Sequence, residues 1–245
     1  MSAAGAPSPS REQDGGVWAE LRAGAVAILP AAVAMIPFAL LLGALAARKG
    51  LTALEVAAMS GLVFAGSSQL VAVDIWRDPA PWALLALTTL TVNLRHVMMG
   101  ASIARRMGDF GPAGRWLALF FLADEVWAMA ERRAVERGRL APAFYAGLAA
   151  TLYVSWMAWT VAGTALGALI ADPAAWGFDF AFTAIFIGLI AGFWRGAATG
   201  VVIVASAVAA VVVERMAGGV WHIVAGGGAG ILAAALVAAR TGVGR

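Results

Sequence analysis

Residues 64–69 have the sequence FAGSSQ and lie in the centre of an apolar run that covers about residues 54–76. A run of this length is enough to cross a bilayer, which takes about 20 residues of α-helix. Polar side chains are costly at membrane depth unless they face a cavity or other protein groups. Because a glycine permits non-helical backbone, the stretch predicts a broken or re-entrant helix that lines a substrate cavity. The predicted cavity residues here are Gly66, Ser67, Ser68 and Gln69. The alternative is small-residue packing, with Ser and Gln bonding neighbouring helices.

Seven further apolar runs precede and follow this one along the chain. Their approximate bounds are 24–47, 81–104, 113–131, 142–171, 178–194, 197–213 and 219–239. We therefore predict an all-α, polytopic membrane protein of about seven or eight membrane segments. Pro30 and Pro37 lie inside the first run and are predicted to kink its helix, because proline lacks the amide hydrogen that a helix uses.

The composition favours the same class of protein. Of the 245 residues, 62% are hydrophobic and 13% are charged, whereas a soluble domain has about 45–50% and about 25%. So few charges argue against a soluble enzyme and against a disordered chain. Lys and Arg number 17 against 14 Asp and Glu, and this net charge of +3 indicates short charged loops rather than nucleic-acid binding. With no cysteine and two histidines, we expect no metal site and no cofactor.

The sequence divides into three parts. Residues 1–20 are polar and rich in Ala, Gly, Ser and Pro, which predicts a disordered tail. Residues 21–240 form the predicted membrane transport domain, and residues 241–245 form a C-terminal stub. We expect a multi-pass protein of the cell (inner) membrane, surrounded by the lipid bilayer.

Charged and polar side chains inside the third and fourth runs are the main candidates for function. The third run contains Asn93, Arg95 and His96, and the fourth contains Asp124 and Glu125. An ionised side chain near the bilayer centre costs about 2.5–3.5 kcal/mol on insertion scales. An ion pair between Arg95 and one of the two acids would relieve that cost. Such a pair has either a purely structural role or a role in binding a charged substrate or relaying protons. The third alternative is that the arginine side chain extends to a membrane interface without a partner.

A weak internal repeat relates two parts of the chain at an offset of 124 residues. Residues 43–45 and 167–169 both read Gly-Ala-Leu, and the same offset places Glu55 on Asp179. The loop after the first copy carries Arg48 and Lys49, whereas residues 171–178, after the second copy, have no Lys or Arg. Because positively charged loops tend to lie on one side of a membrane, this difference favours an inverted repeat. The two acids would then be equivalent, as a charge pair or proton relay. Chance similarity, with both acids as ordinary helix caps, is the alternative.

Several motifs together resemble the AzlC (YgaZ-like) branched-chain amino-acid permease family over roughly residues 22–240. The motifs, in chain order, are Pro37-Phe38 through Gly43, FAGSSQ at 64–69, Asn93-Leu94-Arg95-His96, Asp124-Glu125 and Asp179-Phe180. The sequence departs from the pattern at Val126, where many members have a small polar residue. The resemblance implies an exporter of hydrophobic amino acids such as valine, isoleucine or leucine, and a small AzlD-type membrane subunit as its partner.

We therefore expect the larger subunit of an amino-acid exporter that is driven by an ion or proton gradient. The sequence has no G-x-S-x-G, H-E-x-x-H or P-loop motif, so we do not expect an enzyme. An intramembrane enzyme and a channel-like or scaffold subunit are the alternative classes. Saturable, gradient-driven flux through reconstituted vesicles would distinguish transport from both.

Overall fold

The described part of the chain consists of α-helices, and most of the candidate residues lie beside two breaks between them. The computed structural model describes residues 9–169, 187, 190–191, 194, 196–217 and 221–241, and across those residues the regular secondary structure is α-helix, with no strand. The helices are α1 (Pro9–Ala34), α2 (Ile36–Arg48), α3 (Ala53–Leu62), α4 (Gly66–Asp74), α5 (Trp82–Ala104), α6 (Pro112–Phe120), α7 (Asp124–Arg137), α8 (Pro142–Leu169), α9 (Ala197–Ala217) and α10 (Trp221–Thr241). The predicted all-α class is confirmed for these residues.

The helices belong to two units. The first unit comprises residues 1–73 and 93–171, and the second comprises residues 74–92 and 172–245. The boundary falls within α5, whose residues from Asn93 onward belong to the first unit. All the candidate residues that the structure describes lie in the first unit. Asp179 lies outside the described residues, so its predicted role stays a prediction.

Among the described residues, fewer helices combine the length and the hydropathy of a membrane span than the sequence predicts. Among the described residues, two helical stretches are long and apolar enough to cross a membrane, Gly16–Ala34 and Ala197–Ala217. Ile36–Arg48, Ala53–Leu62 and Val224–Arg240 are apolar but shorter. The all-helical, apolar character agrees with a membrane protein, whereas the seven or eight segments stay a prediction.

Three of the predicted runs contain a helix break. The first run divides at Met35, because Pro37 has no amide hydrogen for the carbonyl oxygen of Val33 and fits instead in the first turn of α2. Pro30 remains inside α1. The second run breaks between α3 and α4, as the sequence predicts. The fourth run breaks between α6 and α7, which the sequence analysis missed.

Helix α1 begins earlier than predicted. It begins at Pro9, so residues 9–20 differ from the predicted disordered tail. The end of this segment has a tertiary contact: Arg133 of α7 donates to both carboxylate oxygens of Glu20 at 2.9 Å. The Arg133 guanidinium also lies 4.6 Å from the centre of the Phe144 ring on α8. The bonds to Glu20 fix the start of α1 against α7, and the same arginine packs on α8.

Helix α8 is the centre of the first unit, and α1 and α2 pack against it through glycines. A Cβ atom built on Gly24 would lie 2.0 Å from the carbonyl oxygen of Phe144, and one built on Gly147 would lie 2.0 Å from that of Leu21. Real Cβ atoms essentially never come this close, so only glycine fits at either position. Small residues that let helix backbones approach closely are typical of packing between membrane helices.

The contacts also show that α1 and α2 run parallel to α8. Gly24 lies against Phe144, and further along the chain Gly43 lies against Thr160. An inverted repeat would make these two runs antiparallel. The inverted-repeat interpretation is therefore wrong for residues 21–48 and 142–169, because glycine pairs draw the two helices together in parallel. A duplication as such stays a prediction.

The second unit contains a helix pair. Helices α9 and α10 pack together, and the Ser206 hydroxyl donates to the carbonyl oxygen of Gly226 at 2.8 Å. A Cβ atom on Gly226 would lie 3.1 Å from that of Ala210, which is a tight contact. The pair is thus held by small residues and by a side-chain bond to the backbone.

Candidate functional site

The first turn of α4 contains the predicted cavity residues directly after the α3–α4 break. Ser68 is buried, donates to the carbonyl oxygen of Ala65 at 3.0 Å, and accepts a bond from Asn93 Nδ2 at 3.2 Å. Position 66 requires glycine because a larger side chain would not fit there, and not because the backbone adopts a conformation that only glycine allows. It has no positive φ, and a Cβ atom there would lie 2.7 Å from the Trp156 ring and 2.9 Å from the Phe38 ring.

Gln69 holds the two sides of the break together. Its side chain is buried; Nε2 donates to Ser60 Oγ on α3 at 3.0 Å, and Oε1 accepts a bond from Trp156 Nε1 on α8 at 3.2 Å. The Tyr153 hydroxyl donates to the carbonyl oxygen of Gly61, in the last turn of α3, at 3.0 Å. These bonds satisfy polar groups that a helix break would otherwise leave unpaired. A substrate contact by Gln69 stays a prediction.

Arg95 connects three helices. Its Nη1 atom lies 2.8 Å from Asp124 Oδ2, and its Nη2 atom donates to the Ser67 hydroxyl. The predicted pair between Arg95 and an acid of the fourth run is therefore confirmed, with Asp124 as the partner. Side-chain exposures of 34% for Arg95 and 32% for Asp124 show that the pair is only partly shielded. It is neither a solvent-exposed surface pair nor a sealed core pair.

The second helix break explains how the acid reaches Arg95. Asp124 and Glu125 are the first two residues of α7, after a break at residues 121–123. A carboxylate is favoured at a helix N-terminus by about 0.3–1 kcal/mol, because the helix dipole and free amide hydrogens are there. Glu125 is half-buried. Two helix N-termini, those of α4 and α7, thus supply the groups that Arg95 contacts.

Three polar atoms beside this pair make no hydrogen bond with the described residues. They are Asn93 Oδ1, Arg95 Nε and His96 Nδ1, and all three are buried. A buried polar atom without a partner costs about 1–3 kcal/mol. Within the described part of the chain, the site therefore has one hydrogen-bond acceptor, one donor and one imidazole nitrogen without a close partner. Such atoms are the ones available to a ligand.

An apolar cavity borders the break before α7, and one of its lining rings contacts the α3–α4 break. Its volume is about 420 Å³, and it lies between α6 and α8. The lining includes Phe121, in the break before α7, and Tyr153. The two rings contact at 5.0 Å between centres, and Tyr153 also contacts Phe64, in the α3–α4 break, at 5.3 Å. Aromatic and aliphatic surface therefore adjoins the same two breaks that supply the polar groups.

Glu55 has a local role. Its carboxylate accepts bonds from the backbone N–H of Thr52 at 2.7 Å and from the Thr52 hydroxyl at 2.8 Å, which completes a capping box at the start of α3. Glu55 is exposed and lies outside both candidate spans. The bond from the Thr52 backbone, followed by that from its hydroxyl, lowers the pKa of Glu55. This is the helix-cap alternative, and the geometry gives no support to a proton-relay role for Glu55.

A second set of polar contacts joins α5 and α7 and was not predicted. Ser102 donates to Glu131 Oε1 at 2.6 Å and accepts a bond from Trp127 Nε1 at 2.8 Å. Arg106 Nε lies 3.4 Å from Glu131 Oε2. Arg95 and Ser102 are seven residues apart on α5, as are Asp124 and Glu131 on α7. Residues seven apart lie on the same face of a helix, so this equal spacing could have been recognised in the sequence.

No cluster of three or more His, Asp or Glu side chains that could hold a metal ion occurs among the described residues. The polar groups at the two breaks are instead a cation, carboxylates, hydroxyls and amides. They are suited to binding a charged or zwitterionic organic molecule by hydrogen bonds and ion pairs.

Comparison with known proteins places these residues in a family. The model of the AzlC protein family matches residues 30–170, a range that includes both breaks and Arg95. The chain is 32% identical over 142 residues to the inner membrane protein YgaZ of Escherichia coli (strain K12), which covers 57% of this chain and 56% of YgaZ. It is 33% identical over 151 residues to an uncharacterized membrane protein of Archaeoglobus fulgidus, which covers 62% of this chain and 63% of that protein. The match thus spans less than two thirds of each relative. No solved structure matches the chain.

Proposed function

The chain belongs to the AzlC protein family, and we propose that it is the larger subunit of a multi-pass membrane exporter of branched-chain or other hydrophobic amino acids. Its relatives are named as membrane proteins, and in one case as an inner membrane protein. Membership in a permease-type membrane family, together with apolar helices, supports a transport-related role rather than an enzymatic one.

The observation that carries the proposal is the contact of Arg95 with Ser67 on one side and Asp124 on the other. Both partners directly follow a break in an apolar helix. Broken membrane helices with exposed N-terminal ends are where many carriers bind the carboxylate of their substrates. An arginine at such a place is suited to an amino-acid carboxylate, because its planar guanidinium can donate two parallel hydrogen bonds.

The apolar cavity supports a hydrophobic substrate. Phe121 and Tyr153 line it, and each adjoins a break that carries polar groups. At about 420 Å³ the cavity falls within the ordinary range for small-molecule sites, about 300–1,000 Å³. A substrate with a charged end at Arg95 and an aliphatic side chain in this cavity would have both parts matched.

The partner and the energy source are further parts of the proposal. We expect a small AzlD-type membrane subunit to assemble with this chain, and an ion or proton gradient to drive export. His96, Asp124 and Glu125 are the candidate proton-relay groups, since they are titratable and lie next to Arg95 in the sequence or at its partner helix.

Efflux from lipid vesicles tests the proposal. Vesicles that contain the purified chain, with or without the small subunit, are loaded with radiolabelled L-leucine or L-valine, and release is followed with and without a proton gradient. We expect saturable, gradient-dependent release that Arg95→Ala abolishes. Glu136→Gln, which alters an exposed pair with Arg132, is the matched control and should transport normally. Near-normal efflux by a well-folded Arg95→Ala variant, or no amino-acid flux in any preparation, would refute the proposal.

A further inference from the structure

We propose that the Arg95–Asp124 ion pair is itself the binding site for the two charged ends of an amino-acid zwitterion, and that substrate binding opens the pair. In the bound state the substrate carboxylate replaces Asp124 at the guanidinium, and the substrate ammonium replaces Arg95 at the carboxylate. This inference rests on the proposed function, and it names the part of the substrate that each side chain recognises.

Charge balance is the first argument. The unliganded pair is neutral, with a 2.8 Å contact between Arg95 and Asp124. A zwitterion is also neutral, so it exchanges one ion pair for two and leaves no charge unpaired. A ligand with only a carboxylate or only an ammonium group would separate the pair and leave one protein charge without a partner. Losing one partner of an ion pair that is partly shielded from solvent is unfavourable, so the site selects against half-ligands.

The unused hydrogen-bond capacity is the second argument. Arg95 uses Nη1 for Asp124 and Nη2 for Ser67, whereas its buried Nε makes no bond with the described residues. Displacement of Asp124 frees Nη1, so Nη1 and Nη2 together can bind the substrate carboxylate with two parallel bonds, and Nε is a further donor beside them. Asn93 is anchored through Nδ2 to Ser68, and its buried Oδ1 remains an acceptor. An ammonium group brings three donors, so it can use both the Asp124 carboxylate and an amide oxygen.

Partial exposure is the third argument. At 34% and 32% exposed, neither side chain of the pair is sealed in the protein, so a ligand can reach both. A fully buried pair would be a poor candidate, since opening it would require the helices to separate. The serine and asparagine contacts hold the arginine and the amide in place from the α4 side while the pair opens.

The proposal predicts a swap of ligand preference when one charge is removed. Asp124→Asn leaves an unpaired cation, so the variant should bind isovalerate, which is valine without its ammonium group. Arg95→Gln leaves an unpaired anion, so it should bind isobutylamine, which is valine without its carboxylate. The double variant Arg95→Gln/Asp124→Asn keeps the site neutral and should bind neither half-ligand nor valine. It also shows whether loss of the pair by itself prevents folding.

Titration calorimetry on the full chain in lipid nanodiscs tests this, with L-valine, isovalerate and isobutylamine as ligands. Glu136→Gln serves as the control for loss of an exposed carboxylate. For the unaltered chain we expect both half-ligands to bind at least about tenfold more weakly than valine. In Asp124→Asn, isovalerate should gain about tenfold or more while valine loses as much, and Arg95→Gln should show the mirror result with isobutylamine.

The outcomes separate this inference from the function on which it rests. If the unaltered chain binds valine but the variants lose valine without gaining a half-ligand, the exporter proposal survives and the zwitterion exchange is wrong. Equal binding of valine and a half-ligand by the unaltered chain has the same meaning. If the unaltered chain binds none of the three, the proposed function and the inference both fail. Circular dichroism of each variant confirms that the comparison is made between folded proteins.

Discussion

Gly147→Ala adds a single methyl group at the contact between α8 and α1, and it is the sharpest test of the packing of the first unit. The new Cβ atom would lie 2.0 Å from the carbonyl oxygen of Leu21, whereas ordinary contact begins at 3.4 Å. The helices must therefore separate by roughly 1.4 Å, the difference between these values, or bend locally. The atom that is struck belongs to the backbone of a helix and cannot rotate away.

The expected loss of stability is about 2 kcal/mol. Overpacking a close contact costs about 1–3 kcal/mol, and a backbone clash belongs at the upper end of that range. Separation of the helices also forfeits dispersion energy, since a gap of about 0.5–1 Å loses about a quarter to a half of each contact. Replacing a helical glycine with alanine returns about 1 kcal/mol of helix propensity. A net loss of about 2 kcal/mol lowers the ratio of folded to unfolded protein roughly 30-fold.

Gly114→Ala is the matched control. Gly114 is also helical, in α6, but a Cβ atom there would meet nothing within 4 Å. It should gain up to about 1 kcal/mol from propensity alone. Unfolding in detergent, titrated with sodium dodecyl sulfate and followed by circular dichroism, measures the free energy of unfolding of both variants. If Gly147→Ala were as stable as Gly114→Ala, the close packing of α1 and α8 would be refuted.

A double variant sharpens the test. Gly24 and Gly147 make equivalent contacts, each with a carbonyl oxygen of the opposite helix at 2.0 Å from the Cβ position. One separation of the helices accommodates both added methyl groups. The double variant Gly24→Ala/Gly147→Ala should therefore cost less than the sum of the two single variants. Simple additivity would show that the two positions do not share one interface.

Two further changes test the α3–α4 region. Trp156→Phe keeps an aromatic ring near Phe38 but removes the Nε1 donor to the buried Gln69 Oε1. The free energy of unfolding in the same assay should therefore fall by about 1–3 kcal/mol, and unchanged stability would show that this bond does not hold α4 against α8. Bonds from Thr52 hold the pKa of Glu55 below its ordinary value of 4.5, so the ionised cap stabilises α3 above that pH and is lost as the pH falls through the lowered pKa. In Glu55→Gln the free energy of unfolding should therefore vary less with pH between about pH 3 and 6. If it varied with pH as in the unaltered chain, the cap would contribute nothing to stability.

The local sequence pattern was sufficient to predict several features of this protein. The polar cluster at Ser67 and Ser68 inside an apolar run predicted a helix break, because polar groups at that depth need a break or a partner. The cost of an unpaired cation predicted that Arg95 would have an acidic partner in the fourth run. Both expectations rest on desolvation, which depends on residue type and surroundings that are visible in one stretch of sequence. The structure bears out both in the described residues.

Other features could not be predicted, because they depend on contacts between residues that are far apart in the sequence. Trp156 bonds Gln69 across 87 residues of chain, and Tyr153 reaches Gly61 across 92. Both aromatic residues are indistinguishable in sequence from ordinary members of an apolar run. The break before Asp124 was missed because residues 121–123 have no proline or glycine, and tertiary packing there outweighs local propensity.

The sequence by itself determined that this chain is helical, apolar and charged at a few interior positions, because composition and periodicity follow directly from residue types. Only the tertiary structure decided the direction of the helices. The offset of 124 residues and the loop charges favoured antiparallel copies, whereas Gly24 and Gly43 follow α8 in parallel. The same structure decided that Asp124 is the partner of Arg95. A glycine in the sequence indicates that another backbone can come close. The identity and direction of that backbone depend on contacts between segments more than 100 residues apart.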